Sequence, residues 1–299
     1  MSVETEGTRE DKDVLAPDAY APAGEPEPIV VKRRRSILDV VRTLLPPLMV
    51  LAGFIGIWYF ITYNLLESDQ RFLLPPPHEV VQFGFLDSAS MEDILAALWS
   101  TTQVALVGLL IAIALGMSFA IFMSQGKWIE RSFYPYAVVL QTIPILALVP
   151  LIGFWFQFNF RSRVIVCVLI ALFPIITNTL FGLQSVDREL NDLFTLHGAN
   201  RFTRLIKLQL PHAMPAIFTG FRISAGLSVI GAIVGDFFFR QGEPGIGRLL
   251  DIYRAQLQSA QLITAIIFSS LLGLAVFWLF GVIGHTVTKS WHESAGPPQ

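Results

Sequence analysis

Six long apolar runs constrain this chain more than any other feature. They lie at about 44–63, 101–123, 134–156, 164–183, 216–239 and 262–284. A helix of about 20 apolar residues crosses the roughly 30 Å of hydrocarbon in a bilayer, and each run has about that length. The runs are continuous rather than alternating, so they predict helices and not barrel strands. Of the 299 residues only 15% are charged, where a soluble chain carries about a quarter. The expectation is an all-α integral membrane protein with six transmembrane helices, in one domain over 36–290.

Charge placement sets the expected orientation. Residues 1–31 hold Glu4, Glu6, Glu10, Asp11, Asp13, Asp18, Glu25 and Glu27 against Arg9 and Lys12, with four prolines. Such a composition predicts a disordered acidic tail, which 1–35 would form together with a basic cluster, "KRRRS". The run after it is too long for a signal-peptide core and lacks a small-residue cleavage site, so it reads as a retained span. With the N-terminus inside, twelve Lys or Arg residues fall in inside segments: Lys32, Arg33, Arg34, Arg35, Arg42, Lys127, Arg131, Arg188, Arg201, Arg204, Lys207 and Lys289. Six fall outside: Arg71, Arg161, Arg163, Arg240, Arg248 and Arg254. The positive-inside bias places both termini, including a short tail at 291–299, in the cytoplasm.

Several classes of chemistry find no residues. The single cysteine, Cys167, lies in an apolar run, and the five histidines have no metal-ligand spacing. No catalytic, metal or cofactor site is expected, and nothing points to nucleic acid. No Gly-x-x-x-x-Gly-Lys-Ser/Thr phosphate loop occurs, so ATP hydrolysis would belong to another polypeptide. An integral-membrane enzyme would need clustered His, Asp, Glu or Cys near one face, and the sequence has no such cluster.

The most informative polar segment is the insert at 185–215, between the fourth and fifth runs. It contains "LNDLFTLHGANRFTRLIKLQLPHAMPAIFTG". Residues 187–196 can form a helix that Gly198 ends in a left-handed conformation. Residues 201–208 can form another, with Phe202, Leu205 and Ile206 on one face and Arg201, Arg204 and Lys207 largely elsewhere. Pro211 would stop it, and Pro215 would open the next span. A helix–Gly–helix with an apolar knob and a basic rim suits docking into a partner's groove.

In this insert Asp192, Leu193 and Phe194 are followed after three residues by Gly198, and nine residues later by Leu208, Gln209, Leu210 and Pro211. The frame resembles the Glu-Ala-Ala, Gly, hydrophobic-X-Leu-Pro loop of the inner-membrane permeases of ABC importers. The triplet itself keeps only its leading acid. "LPPPHEV", "LQTIPILALVPLIGFWF", "LFPIITNTLFGLQSVD", "LPHAMPAIFTGFRISAGLSVIGAIVGDFF" and "GIG" extend the resemblance over about 40–290. They are similar to the branch that serves nitrate, sulfonate, taurine and thiamine-pyrimidine precursors. The resemblance implies the type I importer architecture, with the insert as a coupling-helix loop. It implies a permease dimer, expected to be a homodimer, with cytoplasmic ATPase subunits, an external solute-binding protein and surrounding membrane lipid. Asp192, Gly198, Arg201, Phe202, Leu205, Ile206, Leu208, Leu210 and Pro211 would carry the ATPase coupling.

Polar residues within the spans are the candidates for a translocation path: Gln141, Thr142, Asn178, Ser224, Ser228 and Asp236. Ala216, Gly220, Ser224, Ser228, Ala232 and Asp236 recur every four residues, which also suits close helix packing. Asp236 is the one acid in the six runs. An acid there is a functional candidate, and Arg240 one turn later offers an ordinary i, i+4 pair. Pro144, Pro150 and Pro174 each leave a carbonyl one turn earlier without its donor. The whole reads as an importer permease for a small polar organic solute or anion. An ion-coupled secondary carrier is the alternative, and for a coupling ion it would have little beyond Asp236.

Overall fold

The computed structural model describes residues 37–239 and 242–289. The two tails read from the sequence, and Arg240, lie outside the described residues. Every regular element among the described residues is helical. The chain divides into two compact units at Gly53. The first ends within helix α1, Ile37–Phe60.

The second unit, from Phe54, contains the rest of α1 and a π-helical turn at Ile61–Leu65. There follow α2 (Pro77–Val80), α3 (Ser88–Ser124), α4 (Lys127–Thr142), α5 (Ile145–Phe156) and α6 (Phe160–Gln184). Then come α7 (Arg188–Leu196), α8 (Arg201–Arg204), α9 (Leu210–Phe238), α10 (Ile246–Ala255) and α11 (Ser259–Thr288). Pro75, Pro76 and Pro77 end one segment and open α2, as the proline run predicts. Thr62 is buried there, donating to the Leu74 carbonyl at 3.2 Å.

Among the described residues, five helical stretches are long and apolar enough to cross a membrane. The expected third span is different: α4 and α5 meet at 95°. Pro144 removes the N–H that would continue α4, and its ring excludes the helical conformation one residue earlier. Ile143 is accordingly extended, at ψ 128°. With this bent pair as one span the total is six.

The core is the packing of α3, α6 and α9. Val104, Ala105 and Leu109 of α3 meet Val164 of α6 and Ala225, Val229 and Ala232 of α9. Small residues set the approach. A Cβ on Gly108 would lie 2.3 Å from Cys167 Sγ, and one on Gly231 would lie 2.8 Å from the Cys167 Cα. Only bare backbone permits this spacing, which in lipid is where dispersion contacts are gained. The four-residue stripe of α9 therefore packs against α6.

Candidate functional site

The insert leaves α6 at Gln184 and re-enters the bundle as α9. In α7, Leu190, Leu193 and Leu196 fall on one side and are exposed, Leu196 by 85%. The helix ends in a Schellman motif: Ala199 N–H donates to the Phe194 carbonyl and Gly198 N–H to that of Thr195, each at 3.0 Å. Gly198 has φ +65°, the left-handed value the sequence required. Asn200 then caps α8, its Oδ1 accepting from Thr203 N–H at 2.7 Å.

The second half of the insert departs from expectation. Residues 201–238 run as one helical stretch, so neither Pro211 nor Pro215 separates two elements. The adjustment is a π turn at Leu205–Gln209, where Leu210 N–H reaches the Leu205 carbonyl five residues back. The wider turn accommodates Pro211, which has no N–H of its own.

The expected apolar knob also divides. Phe202 and Ile206 are exposed. Leu205 and Leu208 are buried, Leu205 in a cluster with Leu183, Ala213 and Ile217. The π turn joins α8 to α9, so Leu205 faces the bundle core. The outward apolar surface is Phe202 and Ile206 together with the leucines of α7. Leu210 is half-buried against the same core, and Asp192 is exposed. Arg201 Nη1 donates to the Gln125 carbonyl at 3.4 Å, and Arg204 Nη2 to Thr195 Oγ1 at 3.1 Å. These two arginines thus brace the insert, tying it to the α3–α4 turn and α8 to α7. A polar cavity of about 430 Å³ lies beside it, bordered by Lys127, Glu130, Gln184 and Asn191.

The path candidates fall into two groups. Ser224, Ser228 and Asp236 are fully buried. Ser224 donates to the Ala171 carbonyl at 2.6 Å and Ser228 to that of Ala225 at 2.8 Å. They lie in helix packing here because small hydroxyl residues let α9 approach α6. Asn178 is half-buried and donates to the Pro174 carbonyl at 2.8 Å. Gln141 and Thr142, by contrast, are exposed at the α4–α5 break.

Asp236 has a different partner from the one its helix suggests. Its Oδ1 accepts from Arg163 Nη1 at 2.6 Å, with both side chains under 5% exposed. Its other oxygen accepts from Thr101 Oγ1, which in turn accepts from Ile246 N–H at 2.8 Å. Charge counting placed Arg163 in an outer loop, but it belongs to the first turn of α6. Its pairing over 73 residues has no local signal in the sequence. Gly245 and Gly247 fit against this pair: a Cβ on Gly245 would lie 1.9 Å from Asp236 Oδ2. Arg222, a further cation inside an apolar run, stacks over Phe277 at 4.2 Å; a count of loop charges passes over it.

An all-helical bundle with a helix–Gly–helix insert between two of its spans is the architecture of a transport permease. Residues 108–289 match the family described as binding-protein-dependent transport system inner membrane component, and the chain belongs to that family. It is 34% identical over 208 residues to the formylaminopyrimidine transport permease protein ThiX of Halalkalibacterium halodurans, covering 70% of this chain and 82% of that one. It is 30% identical over 231 residues to the putative aliphatic sulfonates transport permease protein SsuC of Escherichia coli, covering 76% and 84%. The fold is also that of the MetNI methionine ABC transporter in its inward-facing form, with a TM-score of 0.58 at 14% identity, covering 68% of this chain and 99% of that one. The chain is thus an ABC importer permease, a multi-pass protein of the inner membrane. The ion-coupled alternative falls with this membership, and the one acid it would use is already spent on Arg163.

Proposed function

We propose that this chain works as a homodimer that forms the path for a small polar solute, delivered by a solute-binding protein and driven by two cytoplasmic ATPase subunits. Both termini and the insert face the cytoplasm, and lipid surrounds the outer helix faces. ATP is hydrolysed by the partner, and this chain makes and breaks no covalent bond. Its part is mechanical: movement of the ATPase pair displaces the insert, and the continuous stretch from Arg201 to Phe238 carries that displacement across the membrane.

The observation that carries this reading is the exposed apolar surface of the insert. Leu190, Leu193 and Leu196 of α7 are exposed, and so are Phe202 and Ile206 of the same insert. An apolar stripe in a polar inter-span segment calls for a partner groove. The insert is also braced to both neighbouring parts of the bundle through Arg201, Arg204 and the π turn, so a push on α7 reaches α9. The test is co-purification of the ATPase encoded with this permease, together with ATP-dependent solute uptake. Leu193→Asp places a charge in an apolar contact, and both readouts should fall in that variant at unchanged permease expression. Full retention of both would leave the insert a passive loop.

A further inference from the structure

Arg222 is a charged residue inside an apolar run, and it is exposed on α9. Its guanidinium lies 4.2 Å over the Phe277 ring of α11, a favourable cation–π distance. A Cβ on Gly281, one turn further along α11, would come within 3.2 Å of its Nε. An aromatic face and bare backbone thus hold the planar head against α11. Helix α11 has 30 residues and is about 45 Å long, against roughly 30 Å of hydrocarbon. Gly281 and Phe277 stand about 10 and 16 Å from its end at Thr288. The head therefore sits several Å beneath the membrane surface on the insert side. His285 and Lys289 follow at four-residue spacing toward that surface, and both are exposed.

A cation at this depth calls for an anion. No carboxylate among the described residues supplies one: α11 has no acid, and the one acid of α9 is Asp236, at its far end and paired with Arg163. A second copy of the chain brings none to this depth either, since Asp236 is the one acid in the six apolar runs.

On the other side of Phe277, away from the insert, a groove of about 650 Å³ runs between α9 and α11. Ile223, Gly226 and Ile230 line one wall, and Ile266, Gly273 and Phe277 the other. From Phe277 to Ile266 the groove is about 16 Å long, close to half the hydrocarbon thickness. No charged residue lines it. Its two hydroxyls, on Ser269 and Ser270, donate to the Ala265 and Ile266 carbonyls at 2.7 and 2.9 Å, so both turn to their own helix. A small polar solute would find little there to hold it. A hydrocarbon chain would gain the dispersion contacts that an unfilled groove lacks.

We propose that Arg222 and the α9–α11 groove form a binding site for an anionic phospholipid, with the phosphate on the guanidinium and one acyl chain along the groove. A guanidinium can donate two parallel N–H groups to a phosphate. A basic pocket between membrane helices near one surface is a form that anionic headgroups recognise. A headgroup drawn inward satisfies a charge that hydrocarbon cannot. The inference goes beyond the transport reading and needs only that the chain spans a bilayer, in either orientation.

The experiment uses the permease with its ATPase subunits, in nanodiscs of equal parts dioleoylphosphatidylglycerol and dioleoylphosphatidylcholine. Phospholipid that stays on the complex after transfer to mild detergent is counted by native mass spectrometry. The parent should retain phosphatidylglycerol in preference. Arg222→Gln should lower that preference about fivefold, the worth of one basic residue at an anionic surface. Gly273→Leu keeps the charge and fills the groove, since a Cβ there meets nothing closer than Val229 Cγ1 at 3.9 Å; retention should fall by a similar factor. Arg131→Gln removes an exposed cation on α4 and should change nothing. Excess glycerol phosphate, a headgroup without chains, should not compete. Equal retention of the two lipids by the parent would overturn the proposal, as would an unchanged preference in Arg222→Gln or Gly273→Leu. An equal loss in Arg131→Gln would reduce the effect to general surface charge, and competition by glycerol phosphate would leave an anion site without a chain; either overturns it. Separation of the dimer in Gly273→Leu would make the groove a seam between copies and overturn the lipid assignment. A parental permease that holds no ATPase would overturn the transport reading alone, because the lipid count does not depend on it.

Discussion

Arg163 and Asp236 meet at 2.6 Å, each almost wholly buried, at the ends of α6 and α9 remote from the insert. The carboxylate sits in the last turn of α9, where the helix dipole disfavours it, so the guanidinium is needed. Asp236→Asn leaves a buried cation without its countercharge and should destabilise the protein by about 3–5 kcal/mol. Asp236→Leu combined with Arg163→Met removes both charges and should cost less, because Thr101 Oγ1 keeps the Ala97 carbonyl as an acceptor. Thermal melts of the purified permease in detergent check this. Equal melting of Asp236→Asn and the parent would show the pair to be inconsequential.

The same pair holds the loop before α10. Gly247 lies so close to α9 that a Cβ would come within 2.1 Å of the Ile233 carbonyl, and Gly245 abuts the Asp236 carboxylate. Gly245→Ala should lift α10 off the bundle and expose 242–256 to protease. Gly56→Ala in α1, where a Cβ would meet nothing within 4 Å, should leave digestion unchanged. Equal protease patterns for the two variants would contradict this packing.

Apolar run length made most of the spans legible in the sequence, since burial of the backbone in lipid admits few alternatives. Gly198 was legible too, because spacing and φ requirement coincide at one residue. What the sequence withheld depends on through-space partners or on local compensation. Pro144 bends its span by 95°, while Pro211 and Pro215 leave theirs unbroken. The difference is the π turn before Pro211, and no residue type announces a π turn. Phe202, Leu205 and Ile206 have helical spacing, but the helix that carries them runs on into α9, and Leu205 packs in the cluster of Leu183, Ala213 and Ile217. The Arg163 partner of Asp236 lies on another helix, beyond the reach of i, i+4 reasoning.

Orientation is open to cysteine mapping. The native Cys167 is buried, with its Sγ against the carbonyls of Ala105 and Ser228, so background labelling should be low. A cysteine at Asn200, which is exposed, should react with a membrane-impermeant maleimide only after the inner face is opened. One at Glu243, also exposed, should react in intact cells. The reverse pattern would invert the topology and remove the insert from reach of a cytoplasmic ATPase.

Gly198 separates backbone conformation from packing. A Cβ there would meet nothing within 4 Å, yet the residue holds φ +65°. Any cost of substitution therefore comes from the left-handed conformation alone, about 1–2 kcal/mol for a residue with a Cβ. Asn tolerates this region better than other L residues, and β-branched residues tolerate it worst. Gly198→Asn should keep the Schellman turn, retain the ATPase and transport near the parental rate. Gly198→Val should splay α7 from α8, pull Arg204 away from Thr195, and lose ATPase retention and uptake together while the spans stay inserted. The order Gly, Asn, Ala, Val in retained coupling is the expected signature. It is measured as ATPase co-purified per permease at matched expression. Equal retention in Asn and Val variants would mean that the turn does not set the angle at which the insert meets its partner.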